Sequence, residues 1–408
     1  MLPTKPGFVK VCEELDRRQQ ITLGFERISA LLDALGNPER GLRVLQVVGT
    51  NGKGTTTVAL AAALEELGAS AGAYLSPHVL SYTERVMLHG QYVTEDQFAA
   101  GMSAAITAAD ENAIDASQFE LLTAGALAMF RDAGLDIAVL EAGLGARHDA
   151  TTAAEPEVVV LTNVSIDHAE YLGDTVEAIA REKLASLRAG SRLILGDPYL
   201  LDIAQQECDR IGATLVEAYN HDSGNEAIQG FAPYALQNAR LGIFAAEAVM
   251  ERSLSTEVPV LEGLRNLLPG RFEVREVRGV PVVVDGGHNP GGVRAAVAGI
   301  ESLYGERPLV VVFGALRGKD IARMLDALVW RADALVLTKV DNERAIEPES
   351  VWSEHETTNF RGSCVRVEED AELALSWSVE EARVRGGLVL VTGSLYLGAR
   401  LLGGLREK

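Results

Sequence analysis

One short stretch, VVGTNGKGTTTVALAAALEELG at residues 47–68, constrains the fold of this chain most strongly. An apolar run leads into a glycine-rich loop, and an Ala- and Leu-rich run of helical character follows. The glycines let backbone N–H groups turn toward an anion, and a helix N-terminus adds partial positive charge. Because Lys53 can neutralise phosphate oxygens, the stretch predicts a strand, a phosphate-binding loop and a helix. An ordinary glycine-rich turn is the less favoured interpretation.

The loop departs at two positions from the common pattern G-x-x-x-x-G-K-[ST]. Val47 stands where that pattern has its first glycine, and Gly54 stands where it has a Mg²⁺-binding serine or threonine. Mg²⁺ requires oxygen ligands, which Gly54 cannot supply through a side chain. Any metal ligands must therefore come from other parts of the chain.

Apolar runs alternate with helical stretches along the chain, which is typical of a mostly parallel sheet covered on both faces. We predict an α/β fold. Residues 1–269 would form a P-loop ATPase-like domain with a mostly parallel sheet, and residues 270–408 a smaller, Rossmann-like α/β domain. A ligand cleft is expected between the two domains, at the carboxyl ends of strands. One helix, DTVEAIAREKLASLRAG, is predicted to end at Gly190.

Polar side chains follow three of the predicted strands. Ser76 and His78 follow the second strand of the first set, Glu141 lies at the end of another, and Asp167 and His168 follow the next. A single histidine at a strand end is more often structural than ligating. Three polar clusters at the carboxyl ends of parallel strands together favour a ligand site, and they are the candidates for holding a metal.

The composition narrows the classes of partner. The net charge is −21, and nucleic acid or anionic membrane surfaces would demand clustered Lys and Arg, so neither partner is expected. The three cysteines are far apart and form no C-x-x-C pair, which favours reduced thiols. With no apolar run long enough to span a membrane and no signal-peptide core, a cytoplasmic location is expected.

Seven motifs in order identify a family resemblance over nearly the whole chain. They are VVGTNGKGTT, SPHVLSYTERV, LEAGLGARHDAT, SIDHAEYLGDTVEAIAREK, LPGRFEV, DGGHNP and TGSLYL. Together they resemble folylpolyglutamate synthase/dihydrofolate synthase, within the Mur ligase superfamily. The resemblance implies an ATP-dependent ligase that adds L-glutamate to dihydropteroate or to a reduced folate through an acyl phosphate. It also implies a monomer.

The resemblance implies roles for particular residues. The expected nucleotide-binding residues are Thr50, Asn51, Gly52, Lys53, Gly54, Thr55, Asn238, Arg271, Asp285 and His288. Ser76 and Glu141 would hold a first Mg²⁺ and His168 a second. Lys183 matches a lysine that is carbamylated in the family, although a solvated helix lysine paired with Glu182 or Glu177 is the alternative. Lys53, Lys183, His168 and Glu141 are the expected catalytic residues.

The acceptor side is implied by shorter matches. Phe119 and Glu120 match a segment that contacts the pterin, although core packing is an equally good interpretation of Phe119. Arg147 and Asp149 match an R-x-D element, and ITLGFERI at residues 21–28 matches a dihydropteroate-contacting segment.

Three residues in the stretch GARHDATT depart from the family pattern: Ala146, His148 and Thr152. They leave the implied metal and ATP residues intact but bear on the identity of the acceptor. Two alternatives therefore remain: the same ligation on a non-folate acid, and a non-catalytic nucleotide-binding switch. The presence of the implied metal and transfer residues counts against the switch. Whether one enzyme makes both glutamate additions is left open.

Overall fold

The computed structural model describes residues 5–20, 24–220, 231–264, 267–354, 360, 362 and 364–406. It divides into two compact units. The first comprises Met1–Asn225 and Asn238–Leu267, and the second comprises Glu226–Gln237 and Leu268–Lys408. The second unit thus includes the segment Glu226–Gln237, which the predicted boundary between residues 269 and 270 would assign to the first domain. Within the described residues, no helix is both long enough and apolar enough to cross a bilayer.

The first unit is built on an eight-stranded sheet in the order β4-β3-β2-β5-β1-β6-β7-β8. Its strands are β1 (Arg43–Val48), β2 (Ala71–Tyr74), β3 (Val86–Leu88), β4 (Gln91–Tyr92), β5 (Ile137–Glu141), β6 (Val158–Leu161), β7 (Arg192–Leu195) and β8 (Thr214–Glu217). β3 pairs antiparallel with both β2 and β4, and the other neighbours pair parallel. β5 and β6 are buried along their whole length, as expected for parallel strands covered on both faces.

Helices of the first unit cover this sheet. They are α1 (Pro6–Asp16), α2 (Glu26–Ala34), α3 (Lys53–Glu66), α4 (Glu95–Glu111), α5 (Gln118–Asp132), α6 (Ala169–Leu172), α7 (Val176–Lys183), α8 (Leu201–Ile211) and α10 (Val258–Leu264). A further helix, α9 (Pro233–Met250), begins in the segment that groups with the second unit and continues into the first. α1, α2, α4 and α5 share one apolar core with β1, β2, β3 and β5. α7 and α8 share a second core with β6 and β7.

The second unit contains a six-stranded sheet in the order β13-β12-β11-β14-β10-β9. Its elements are β9 (Glu273–Val277), β10 (Val280–Val284), α11 (Pro290–Tyr304), β11 (Leu309–Phe313), α12 (Ile321–Val329), β12 (Ala334–Leu337), α13 (Pro348–Glu354), β13 (Cys364–Val367), α14 (Ala371–Arg385), β14 (Leu388–Thr392) and α15 (Leu395–Arg406). Among these described strands, only β9 pairs antiparallel. The predicted α/β class, with two mostly parallel sheets, is confirmed.

One predicted helix boundary is wrong. The helix expected to continue to Gly190 ends as an α-helix at Lys183 and is followed by one 3₁₀ turn, Leu184–Ser186. The backbone then becomes extended at Leu187. Leu184 and Leu187 are both buried in the core beneath β6 and β7, so tertiary packing ends the helix before the glycine. The glycine at 190, with φ +83°, makes the following turn instead.

Candidate active site

The phosphate loop occupies residues 49–52, between the end of β1 and the start of α3. Its conformation is set by the loop after β6, the parallel neighbour of β1. The Thr50 N–H donates to the Asn163 carbonyl oxygen at 2.8 Å, the Asn51 N–H donates to Asn163 Oδ1 at 3.1 Å, and Thr162 Oγ1 donates to the Asn51 carbonyl oxygen at 2.7 Å. The polar residues of LTNVSIDH after β6 are a sequence signal for this support, although the predicted site residues there are Asp167 and His168, not Thr162 or Asn163.

The start of α3 has the form of an anion site. The first helical backbone bond runs from the Thr56 N–H to the Gly52 carbonyl oxygen at 3.0 Å. The N–H groups of residues 52–55 therefore have no partner within the helix, as at any helix N-terminus. The predicted nucleotide-binding residues Gly52, Lys53, Gly54 and Thr55 therefore lie where backbone donors and the helix dipole would favour an anion.

Asn238 lies against the same loop. Its carbonyl oxygen accepts a bond from Thr56 Oγ1 at 3.0 Å. A β-carbon built on Gly52 would lie 2.3 Å from Asn238 Oδ1, so the Gly52 backbone and the Asn238 amide are in close contact. Gly52 also has φ +83°, a conformation that L side chains rarely adopt. Tertiary structure thus brings Asn238 beside the phosphate loop although 185 residues separate it from Lys53 in the sequence.

Two lysines converge on the loop. Lys53 Nζ donates to the carbonyl oxygens of Gly49 and Thr50, each at 3.3 Å, and Lys183 Nζ donates to the Gly49 carbonyl oxygen at 2.8 Å. Lys183 is buried, with 5% of its surface exposed. Burial lowers the pKa of Lys183 to about 7, and the positive charge of Lys53 adds to that effect. A solvated helix lysine would keep its usual pKa and would not contact the phosphate loop, so Lys183 does not fit that alternative.

Glu141 lies close to Gly54, the position where a usual phosphate loop carries its metal-binding hydroxyl. A β-carbon built on Gly54 would lie 3.4 Å from Glu141 Oε2. The same carboxylate oxygen accepts the Ser76 N–H at 2.9 Å, and Glu141 is 4% exposed. The Glu141 carboxylate from β5 thus lies within van der Waals range of position 54, and Ser76, Glu141 and the start of α3 lie together.

His168 lies in the loop after β6, at the carboxyl edge of the sheet that also carries the phosphate loop. Its backbone φ is +51°, and its N–H donates to Asp167 Oδ1 at 2.9 Å. Its imidazole Nε2 lies 3.9 Å from the same Asp167 oxygen, and the side chain is 41% exposed. Since β6 adjoins β1, and β1 adjoins β5, the three predicted polar clusters share one sheet edge.

In the second unit, Asp285 follows β10 and is buried. Its carboxylate accepts bonds from the Tyr234 hydroxyl, from the Phe272 N–H at 3.0 Å and from the Gly287 N–H at 2.9 Å. Burial raises the pKa of Asp285, whereas the Tyr234 hydrogen bond and the charge of Arg271 oppose that rise. Asp285 thus ties the segment after Arg271 to the DGGHNP turn. Tyr234 lies within an apolar helix, so no local sequence signal marked it.

His288 and Asn289 of the DGGHNP turn also have local partners. His288 Nδ1 lies 3.0 Å from the Gly286 carbonyl oxygen. Asn289 caps α11 through its Oδ1, which accepts the Gly292 N–H at 2.8 Å. The turn-forming interpretation of Asn289 therefore has a physical basis, whereas His288 sits one residue before the helix cap.

Both carboxylate side chains among the predicted acceptor-binding residues, Glu120 and Asp149, accept hydrogen bonds from other groups of the protein. Glu120 completes a capping box with Ser117 and lies 3.2 Å from Arg27 Nε. Asp149 is buried and accepts bonds from the backbone N–H groups of Gly143 and Leu144, at 2.8 and 2.9 Å, and from Thr151. Both carboxylates therefore shape loops in this structure.

The remaining acceptor residues lie in different environments. Phe119 is half-buried, with its ring centroid 5.9 Å from that of Tyr74, and it lies against the backbone of Gly143. Arg147 is largely exposed and pairs with Glu182 at 2.9 Å. The first three residues of ITLGFERI, 21–23, lie outside the described residues.

Two of the three departures from the family pattern are joined by a hydrogen bond. Thr152 Oγ1 donates to the Ala146 carbonyl oxygen at 2.8 Å and accepts from Gln46 Nε2 at the same distance. The His148 ring lies 6.2 Å from the ring of Phe25. These residues therefore determine the shape of the loop after β5.

Comparisons with known proteins show which families this chain resembles. The model of the Mur ligase middle domain matches residues 47–232, and that of the Mur ligase glutamate ligase domain matches residues 270–395. A dihydrofolate synthase/folylpolyglutamate synthase of Escherichia coli is 34% identical over 323 residues, covering 75% of each chain. A probable bifunctional folylpolyglutamate synthase/dihydropteroate synthase of Haloferax volcanii is 34% identical and covers 93% of this chain. This chain spans only 48% of the Haloferax protein.

Solved structures are similar over the full length. A bifunctional folylpolyglutamate synthase/dihydrofolate synthase from Yersinia pestis, complexed with AMPPNP and Mn ion, has a TM-score of 0.83, 30% identity and complete coverage of both chains. Another enzyme of that name, with Mn, AMPPNP and L-glutamate bound, has a TM-score of 0.84 and 29% identity, covering 99% of this chain and 100% of the other.

Proposed function

Because the chain belongs to the folylpolyglutamate synthase/dihydrofolate synthase family of Mur ligases, we propose that it is an ATP-dependent amide-forming ligase. Its proposed reaction joins L-glutamate to dihydropteroate, to a reduced folate, or to both. The observation that carries the proposal is the contact of Ser76 with Glu141 beside the first turn of α3. This arrangement would supply a nucleotide-phosphate site and an anionic metal site at one sheet edge.

The donor set fits a divalent cation. Ser76 and the buried Glu141 offer oxygen ligands, which Mg²⁺ prefers, and His168 would contribute to a second site. Bound Mg²⁺ would neutralise phosphate charge and so reduce the repulsion between two reacting anions. The AMPPNP and Mn bound in related structures support ATP and a divalent cation as cofactors.

The proposed chemistry proceeds in two steps. An oxygen of the acceptor carboxylate attacks the γ-phosphorus of ATP, the bond to the β,γ-bridging oxygen breaks, and its electron pair leaves with ADP. The glutamate nitrogen then attacks the acyl carbon, phosphate leaves, and the amine proton passes to solvent. Lys53, which in this structure donates to its own loop, would instead donate to phosphate oxygens. Asn238, Arg271, Asp285 and His288 are proposed nucleotide-side residues.

Two structural findings refine the proposed acceptor site. Because the Glu120 and Asp149 carboxylates are already bonded within the protein, we assign them to shaping the site, with Phe119 as the residue that would contact the pterin ring. Arg147, being exposed, remains available to an anionic part of the acceptor. A monomeric state and a cytoplasmic location remain predictions from the sequence.

A panel of acids tests the proposed function. Purified protein with Mg²⁺, ATP and L-glutamate should release ADP only when dihydropteroate or tetrahydrofolate is present. If the acceptor carboxylate is labelled with ¹⁸O, one label should appear in the released phosphate, since the acyl-phosphate oxygen leaves with phosphorus. ADP release with unrelated acids alone would favour the non-folate alternative. Nucleotide binding without turnover on any acid would favour the switch.

We also propose that Lys183 is carbamylated. Its neutral Nζ would attack CO₂, forming a C–N bond and releasing a proton, to leave an anionic carbamate beside Lys53. The amine is protonated below pH about 7 and neutral above it, so carbamate formation should increase as the pH rises through 7. In ¹³CO₂-equilibrated protein, a carbamate ¹³C resonance should grow over that interval.

Variants of Lys183 provide the control for this proposal. Lys183→Ala should remove the carbamate resonance, lower ligase activity roughly 100-fold and respond partly to added formate or acetate, because a small carboxylate can replace the missing anion. Lys10→Ala alters an exposed lysine on α1 and should retain both the resonance and the activity. Undiminished activity of Lys183→Ala would refute the role of the carbamate.

A further inference from the structure

Arg85 is a buried cation without an acidic partner among the described residues. It ends the 3₁₀ turn Tyr82–Arg85 after the Ser76 loop and is 7% exposed. Its Nε donates to His78 Nδ1 at 2.8 Å, and its Nη1 lies 3.4 Å from Ser76 Oγ. Throughout the described parts of the chain, no carboxylate forms an ion pair with Arg85. Burying a guanidinium without a counter-charge is unfavourable, so a bound anion beside Arg85 would offset the cost of burying its charge.

Tyr74 provides a second, independent observation. Its side chain at the end of β2 is fully buried, and its hydroxyl forms no hydrogen bond of normal geometry with any described residue, although Thr123 and Arg85 lie nearby. Burial raises the pKa of Tyr74 to about 12, and the nearby charge of Arg85 is the largest influence in the opposite direction. A buried hydroxyl without a well-formed hydrogen bond is uncommon because its desolvation is not compensated. At this strand end the Tyr74 hydroxyl therefore lacks a well-formed hydrogen bond, and the neighbouring Arg85 lacks a carboxylate partner among the described residues.

We propose that Arg85 and Tyr74 bind the reacting carboxylate of the acid acceptor. This assignment rests on the proposed ligase function and names a carboxylate subsite within it. Arg85 adjoins Ser76, whose N–H contacts Glu141, so an anion held by Arg85 lies next to the proposed metal ligands. The guanidinium would offset the repulsion that the carboxylate meets as it approaches the γ-phosphate.

The local packing explains why this arginine can hold a fixed position. The guanidinium carbon lies 5.7 Å from the Tyr82 ring centroid, in the range of a cation–π contact. The Tyr82 hydroxyl donates to Asp16 at 2.6 Å and accepts from Gln118 at 2.6 Å, which fixes the ring. Arg85 is therefore held before any ligand arrives, and its orientation does not depend on the acceptor.

The first experiment measures carboxylate recognition directly. Equilibrium binding of dihydropteroate is compared with binding of its uncharged carboxamide, in the presence of AMPPNP and Mg²⁺. The wild-type protein should prefer the carboxylate by roughly 30-fold or more, as expected for a desolvated charge pair. In Arg85→Gln the preference should fall below about threefold, while AMPPNP affinity changes by no more than about twofold.

The matched control is Arg188→Gln, which alters an exposed arginine paired with Glu155 and should keep the full carboxylate preference. Equal weakening of both acceptors by Arg85→Gln would overturn the proposal, since a purely structural role would not distinguish charge. A raised KM for L-glutamate with unchanged acceptor recognition would overturn it too, by assigning Arg85 to the incoming amino acid. If the wild-type protein ligates no folate at all, the proposed function itself fails.

Tyr74→Phe gives a second test that does not depend on the folding of an arginine variant. Because the hydroxyl has no well-formed hydrogen bond in the free protein, its removal should leave the thermal unfolding midpoint unchanged or raised. Binding of the carboxylate acceptor should nevertheless weaken about fivefold, and carboxamide binding should not. A lowered midpoint, or equal affinity for the carboxylate in both proteins, would contradict the assignment.

Discussion

Replacing Glu141 by glutamine is expected to lower acceptor-dependent ADP formation by about 1,000-fold, equivalent to about 4 kcal/mol of transition-state stabilisation. The new side-chain amide would keep an oxygen able to accept the Ser76 N–H, so the local fold should persist. The negative charge that would bind the cation beside α3 is lost, because the Gly54 position supplies no substitute oxygen. Initial rates of ADP release over a Mg²⁺ titration measure the effect.

The control for this substitution is Glu66→Gln, at the exposed end of α3. It removes the same charge from an exposed position without touching the sheet edge, so its rates should match those of the wild-type protein. Circular dichroism and the thermal midpoint should be the same for both variants within error. Retention of more than about a tenth of the wild-type rate in Glu141→Gln would show that Glu141 is not a required metal ligand.

Gly52→Ala should lower the affinity for nucleotide by roughly 100-fold or more. Two physical effects act together. A residue with a β-carbon at φ +83° costs about 1–2 kcal/mol. In addition, the new β-carbon would lie 2.3 Å from Asn238 Oδ1, so the loop or the Asn238 amide must move. Movement of the loop would misalign the N–H groups at the start of α3. Calorimetric titration with AMPPNP measures the loss.

Gly68→Ala separates these two effects. Gly68 has φ +91°, but an added β-carbon there would meet nothing within 4 Å. This variant should therefore show the backbone destabilisation alone, as a lowered unfolding midpoint with normal AMPPNP affinity. If Gly52→Ala bound AMPPNP as Gly68→Ala does, the close packing of Asn238 against the loop would have no functional consequence.

Several features followed from the sequence because they are local. The strand, glycine loop and helix at residues 47–68 are encoded by contiguous residues, and the strand cores of both sheets are continuous apolar runs. The edge strands β4, β8, β9 and β13 were not predicted, because they are short and partly exposed and so lack that apolar signal. The end of α7 was misplaced because packing, which no local pattern records, ended the helix early.

The site shows the same division. By itself, the sequence determined the phosphate loop, the absence of a metal-binding side chain at Gly54, and the family resemblance that pointed to Ser76, Glu141 and Lys183. Tertiary structure decided which groups meet: Glu141 beside Gly54, Lys183 on the loop carbonyl, and Asn238 against Gly52. The physical reason is that parallel strands far apart in sequence end at one sheet edge, and residue order carries no direct record of which side chains meet there.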